Sequence, residues 1–350
     1  MTLPVHEPAN PFAGLDVPWL LKSQAAARPD KTLLTWVPFD GASRSYTYAA
    51  FHDLVRRVAA GLRARGVAEG VHVLLHLENC PEFLIAWFAL AELGAVAVTT
   101  NTRSSVRELA YFIGHSGCSG AITQPALAAR VAEAGPHLSW LVVTGHDAGQ
   151  PPDEGALPAR ADRFDSLTAH PPLPPGRVTA PDPARPVSVQ YTSGTTSRPK
   201  GVVITHANAL WAGQVTSGHQ RLRDDDVHLV CAPLFHVNAL GYSFLPSLWM
   251  GASVVLMPRF STRRFWQVAN DHGTTWASMI FFFVRALGEV AAPARHPFRA
   301  WGGGFATPPL AQRLGIAMFG WYGMTETISQ PITGFPNLPN RPLCIGRAAP

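Results

Sequence analysis

The chain has 350 residues, of which 47% are apolar and 15% charged, and a formal net charge of +5. That much apolar material fills the core of one large domain or two ordinary ones and excludes a disordered chain. The basic residues are scattered without a run, which mildly favours anionic ligands and argues against nucleic acid as a partner.

The N-terminus, "MTLPVHEPANPFAG", has neither the basic start nor the apolar core of a signal peptide. "YAAFHDLVRRVAAGLRARGV" sets Phe51, Leu54, Val55, Val58 and Leu62 on one helical stripe with arginines largely opposite. A buried strand is expected from Val71, then a helix over 81–93, a strand over 95–100 and a helix over 104–114 capped by Ser104 or Ser105. The most apolar stretch, "FLIAWFALAELGAVAV", contains Glu92 and Gly94 and is short for a membrane span. It reads as a buried helix entering a strand. "GAIT" at 120–123 is expected to close this series, and residues 149–186, rich in Pro, Ala and Asp, read as a surface excursion within one domain. The alternation resumes with strands over 187–191 and 202–204 and a helix capped by Thr205. Then come a strand over 228–232, a helix over 237–249 and a strand over 253–257. Strands alternating with helices imply an α/β fold with parallel sheets covered by helices. Cys80, Cys118, Cys231 and Cys344 form no CxxC pair. Their spacing fits a reducing, cytoplasmic setting rather than a disulfide framework or a zinc site.

Between two of these strands lies "YTSGTTSRPKG". The first strand delivers Thr192 and Ser193 at its end, and Gly194 lets the backbone come close to a ligand. Hydroxyls of Ser193, Thr195, Thr196 and Ser197, with the loop amides, can wrap phosphate oxygens, and Lys200 adds a mobile charge. The same density also fits an ordinary hairpin turn. A Walker loop fails on spacing, and no G-x-S-x-G elbow marks a serine hydrolase.

"TSGTTSRPKG" resembles the phosphate loop of the adenylate-forming enzymes, which include acyl-CoA synthetases, luciferases and peptide-synthetase adenylation domains. "PLFHVNA" at 233–239, "GGGF" at 302–305, "YGMTET" at 322–327 and "IGRAAP" at 345–350 are similar to further motifs of that family, in order. The resemblance thus covers essentially the whole chain. "PLFHVNA", "FWQV" at 265–268 and "YGMTETI" are also similar to the crotonobetaine/carnitine–CoA ligase branch. What the resemblance implies is the family's large N-terminal core over 1–350, with parallel sheets layered with helices and a small distorted barrel-like subdomain. The implied chemistry uses ATP, Mg2+ and coenzyme A. A carboxylate attacks the α-phosphorus of ATP to give acyl-AMP and pyrophosphate, and the thiol then displaces AMP. The family's small C-terminal domain, with its catalytic lysine, has no counterpart in these 350 residues, so the chain alone is expected to adenylate poorly. An adenylate-holding protein that needs a partner, and a luciferase-like or peptide-synthetase role, are the alternatives.

Residue by residue, the resemblance assigns Thr192, Ser193, Gly194, Thr195, Thr196 and Lys200 to the β- and γ-phosphates. Tyr322 would stack on adenine beside the bend at Gly323 and Met324. Thr325 would donate to the α-phosphate, and Glu326 would hold the magnesium ion, a hard cation that prefers oxygen. Gly302, Gly303 and Gly304 would form a flat wall against the purine. His236 would lie beside the carboxylate, with Phe235, Val237 and Asn238 opening the acyl pocket. Phe281 to Phe283 cannot all face one way. Phe281 and Phe282 are assigned to the pocket, which implies a large apolar or ring-bearing carboxylic acid; a homodimer stays open.

Overall fold

The short apolar runs become strands of two open sheets in a computed structural model of the chain, which describes residues 10–147, 157–192, 198–304, 309–334 and 345–349. The seven-stranded sheet runs Ala161–Arg163, Trp140–Val143, Gly120–Thr123, His72–His76, Val96–Thr99, Pro186–Thr192, Lys200–Thr205. All its neighbours are parallel except the last pair. The nine-stranded sheet is parallel from Ala317–Tyr322 through Ala300–Gly303, Trp276–Ser278, Val227–Val230 and Ser253–Leu256 to Thr32–Trp36. Antiparallel strands flank it, Arg44–Thr47 at one edge and Ile332–Thr333 with Arg347–Ala348 at the other.

Local chemistry sets many boundaries. Ser105 caps helix Val106–Ser116 reciprocally with Glu108, and Thr205 does the same with Asn208 for helix His206–Gln220. Helix Pro81–Glu92 is buried along nearly its whole length because it lies between the sheets. Its Phe88 ring meets Phe51 of helix Tyr48–Ala64 at 6.1 Å and Phe244 at 5.8 Å. The main core is therefore the layer between the sheets, and a smaller one around Leu109, Ile113 and Leu141 covers the far face of the seven-stranded sheet.

Several sequence expectations need correction. "GAIT" does not close its series, since helix Pro125–Ala134 and strand Trp140–Val143 follow. The helix expected over 237–249 is three pieces, Val237–Ala239, a π-helical turn Leu240–Phe244, and Leu245–Met250. No pairing closes either sheet among the described residues, because Ile332–Thr333 and Arg347–Ala348 extend an edge instead; the barrel-like subdomain has no counterpart there. The described part of the Pro-rich stretch is pinned down rather than loose. Leu167 and Leu173 are buried, and Arg56 donates to the carbonyls of Leu173 and Pro174 while pairing with Glu92 at 2.5 Å.

Candidate active site

Parallel strands point their carboxyl ends the same way, and ligands of open α/β sheets lie beyond those ends. Here the carboxyl ends of both sheets converge on one side chain. Asn79, just past strand His72–His76 and buried, donates to the carbonyls of Ala232 (2.9 Å) and Met257 (3.1 Å). Its Oδ1 accepts from the Leu234 amide at 2.7 Å. The sequence reading passed over Asn79; its signal was a polar residue set between an apolar strand and the Pro81 helix start.

Around Asn79 opens a cleft of about 570 Å3, walled by residues after five strands: Glu78, Asn101–Arg103, Pro233–His236, Pro258–Phe260 and Ile280–Phe283 in part. Phe235, His236 and Phe282 face it, as does Phe283, which stacks on Phe260 at 4.1 Å. Val237, Asn238 and Phe281 are not part of the wall. Asn238 instead accepts from the Ser278 hydroxyl at 2.8 Å and Phe281 is exposed. Helix Phe281–Gly288 turns Phe283 inward and leaves Phe281 and Phe282 largely exposed, with only Phe282 of these two beside the cleft. His236 sits at the start of Val237–Ala239 with its ring at the cleft mouth. His236 stays partly exposed, and its partial loss of hydration lowers its pKa from the usual imidazole value. Arg259 edges the cleft, 3.8 Å from Glu78 and over the Phe39 ring.

The glycine run behaves differently from the expectation of a loop. Gly302 and Gly303 close strand Ala300–Gly303. A Cβ at Gly302 would lie 1.7 Å from the Trp321 ring and 2.8 Å from Trp276, so indoles fill the face where its side chain would stand. Gly304 stays exposed, with only the Trp321 carbonyl (3.5 Å) near a Cβ. Strand Ala317–Tyr322 then passes through Gly320 and ends at Tyr322, which is 47% exposed. A 3-10 turn over Thr325–Thr327 follows, in which the Thr327 hydroxyl accepts from the Met324 amide at 3.2 Å. Met324 is exposed and its sulfur lies 3.7 Å from the Tyr322 hydroxyl. The Thr325 hydroxyl and the exposed Glu326 carboxylate have no side-chain partner among the described residues. That donor set fits magnesium, which takes one or two carboxylates and completes its shell with phosphate and water. No group of three or more His, Cys, Asp or Glu among the described residues offers an all-protein cage instead.

Thr192 pairs with Lys200 across the edge hairpin of the seven-stranded sheet. Ser193, Gly194, Thr195 and Thr196 lie outside the described residues, as does Phe305. Tyr111 donates to the Pro199 carbonyl at 3.2 Å, and the Lys200 ammonium is exposed.

Residues 21–350 match the model of the AMP-binding enzyme family. The chain is 34% identical over 333 residues to a crotonobetaine/carnitine–CoA ligase of Salmonella arizonae, covering 91% of this chain and 62% of that protein. It thus spans a little over three-fifths of that relative's length. Among solved structures it is similar to o-succinylbenzoate coenzyme A synthetase of Bacillus subtilis in complex with AMP, with a TM-score of 0.74 and 25% identity over 91% of this chain and 61% of that one. It is also similar to the inhibitor-bound N-terminal domain of FACL13 from Mycobacterium tuberculosis, with a TM-score of 0.75 and 26% identity over 92% and 79% of the two chains.

Proposed function

Because the chain belongs to the AMP-binding enzyme family, we propose that it carries the nucleotide- and carboxylate-binding core of an ATP-dependent acid–CoA ligase. The observation that carries this reading is the end of strand Ala317–Tyr322, where an exposed ring, and a hydroxyl and a carboxylate with no side-chain partner among the described residues, stand in succession. Tyr322 offers a flat face to the adenine, and the Thr325 hydroxyl donates to the α-phosphate. Lys200 and the hydroxyls of the 192–197 segment would bind the outer phosphates and release them as pyrophosphate. Glu326 would hold magnesium, which when bound neutralises charge on the phosphates during displacement. His236, on the cleft wall, would hydrogen-bond the attacking carboxylate. The thiol of coenzyme A would then take the acyl group and release AMP.

Phe235, Phe260, Phe282 and Phe283 give the cleft four aromatic walls, which favours an apolar or ring-bearing acid. Buried free thiols at Cys80, Cys118 and Cys231 fit a reducing cytoplasm. No helix of the described residues is long and apolar enough to cross a membrane. The test is calorimetric titration with AMP. The chain should bind it, and Tyr322→Ala should weaken binding about tenfold through the lost stack and burial. An affinity unchanged by that substitution, or no binding at all, overturns the assignment.

A further inference from the structure

Helix register and loop conformation are tied together behind the adenylate loop by two glycines on opposite segments. The π-helical turn Leu240–Phe244 is fully buried, and such turns recur at functional sites. A Cβ at Gly241 on this turn would lie 2.9 Å from the Ile328 carbonyl, and a Cβ at Gly323 on the loop would lie 2.0 Å from the Tyr242 hydroxyl. Each segment thus approaches the other where the other lacks room for a side chain. The Tyr242 hydroxyl donates to the Ser329 carbonyl at 3.4 Å, and its ring meets Trp321 edge-on at 6.2 Å. The Tyr242 carbonyl in turn accepts from Gln220 at 2.8 Å. Ile328 has φ +50°, a left-handed conformation that a branched residue adopts only when its surroundings hold it there. On the other side, Ser243 donates to the Asn238 carbonyl at 3.0 Å, so the same turn also fixes the segment that begins at His236.

We infer that Tyr242 is a positioning residue, which sets the height of the Tyr322–Thr327 loop against His236 so that nucleotide and carboxylate meet in line. The inference rests on the ligase reading for its consequence, while the contact itself can be read without ligand. Amide hydrogen exchange over 322–329 in the ligand-free protein should quicken about tenfold in Tyr242→Phe, the scale of one lost buried hydrogen bond. Pyrophosphate exchange should fall about tenfold in rate with the carboxylate KM unchanged, the pattern of an interaction realised in the transition state.

Gly323→Ala supplies the second arm. Its methyl group would meet the Tyr242 hydroxyl at 2.0 Å, ahead of Tyr242 Cζ at 2.8 Å and the Ser329 carbonyl at 2.9 Å; Tyr242→Phe removes the tightest of these contacts, so the double variant should be less impaired than the two single effects added. Strict additivity together with unchanged exchange over 322–329 overturns the positioning role, even if AMP binds as proposed. Failure of the native chain to bind AMP, with faster exchange and a non-additive cycle, removes the ligase reading and leaves the hold of Tyr242 on the loop standing.

Discussion

The edge pair Thr192 and Lys200 and the loop from Tyr322 to Thr327 each carry hydroxyl and charged side chains, yet they are held in opposite ways. The hairpin hangs from an edge, secured by its strand pairing and by Tyr111 on the Pro199 carbonyl. The loop rests on a buried π turn, with a glycine in each segment spent on close approach. On the proposed reading the outer phosphates leave as pyrophosphate from the edge pair, whereas the α-phosphorus stays in line with a carboxylate, which a braced loop suits. Holding would then be concentrated where geometry decides the rate.

Opposite substitutions should expose this division most strongly. Glu326→Gln keeps the shape of the loop and removes its charge. Pyrophosphate exchange should fall by about two to three orders of magnitude, the scale of one positioned electrostatic group. Affinity for AMP, which carries no outer phosphates, should change little. Lys200→Ala should instead act on ATP affinity, by about tenfold, and spare AMP. If Glu326→Gln left the exchange rate intact, the loop would not be where the phosphate chemistry takes place.

A pair of glycines sharpens the point about packing. Gly302→Ala drives a methyl group to 1.7 Å from the Trp321 ring, a site with no room to give. It should lower stability by about 1–3 kcal/mol in urea unfolding, the usual cost of overpacking. Gly218→Ala, in helix His206–Gln220 with nothing within 4 Å of its new methyl, should raise stability by about 0.4–1 kcal/mol. Equal effects in the two would mean that the indole face of Gly302 is not packed.

The sequence disclosed features whose cause is local. Ser105 with Glu108 and Thr205 with its hydroxyl cap lie within one turn of what they cap, and the capped helices appear near the expected residues. Strand Thr32–Trp36 escaped notice because its apolar run is short, its near partner Arg44–Thr47 is a polar edge strand, and its other partner, Ser253–Leu256, lies more than 200 residues onward. The three glycines were visible as a run, but what fills the face of Gly302 is Trp321, from the neighbouring strand. Asn79 shows the same limit. Its chemistry was legible, whereas its three bonds go to residues more than 150 positions away. Resemblance named the candidate site residues; only the sheet pairings could say which of them meet.

The smallest effect separates two adjacent rings on the acyl side. Phe282 is 63% exposed beside the cleft, whereas Phe283 is buried and stacked on Phe260. A ring that water still covers contributes little to folding, so Phe282→Ala should shift stability by no more than about 0.5 kcal/mol. An apolar acid entering the cleft would cover part of that ring, and losing the contact should raise the carboxylate KM by about three- to tenfold, with ATP KM unchanged. Phe283→Leu should show the converse, a stability loss of up to about 1.5 kcal/mol and a smaller change in KM. Steady-state kinetics across a series of acids, read beside urea unfolding, distinguishes the two. Should Phe282→Ala leave KM unaltered for every apolar acid tested, the substrate would not reach this wall, and the acyl group would have to lie along Phe235 and His236 instead.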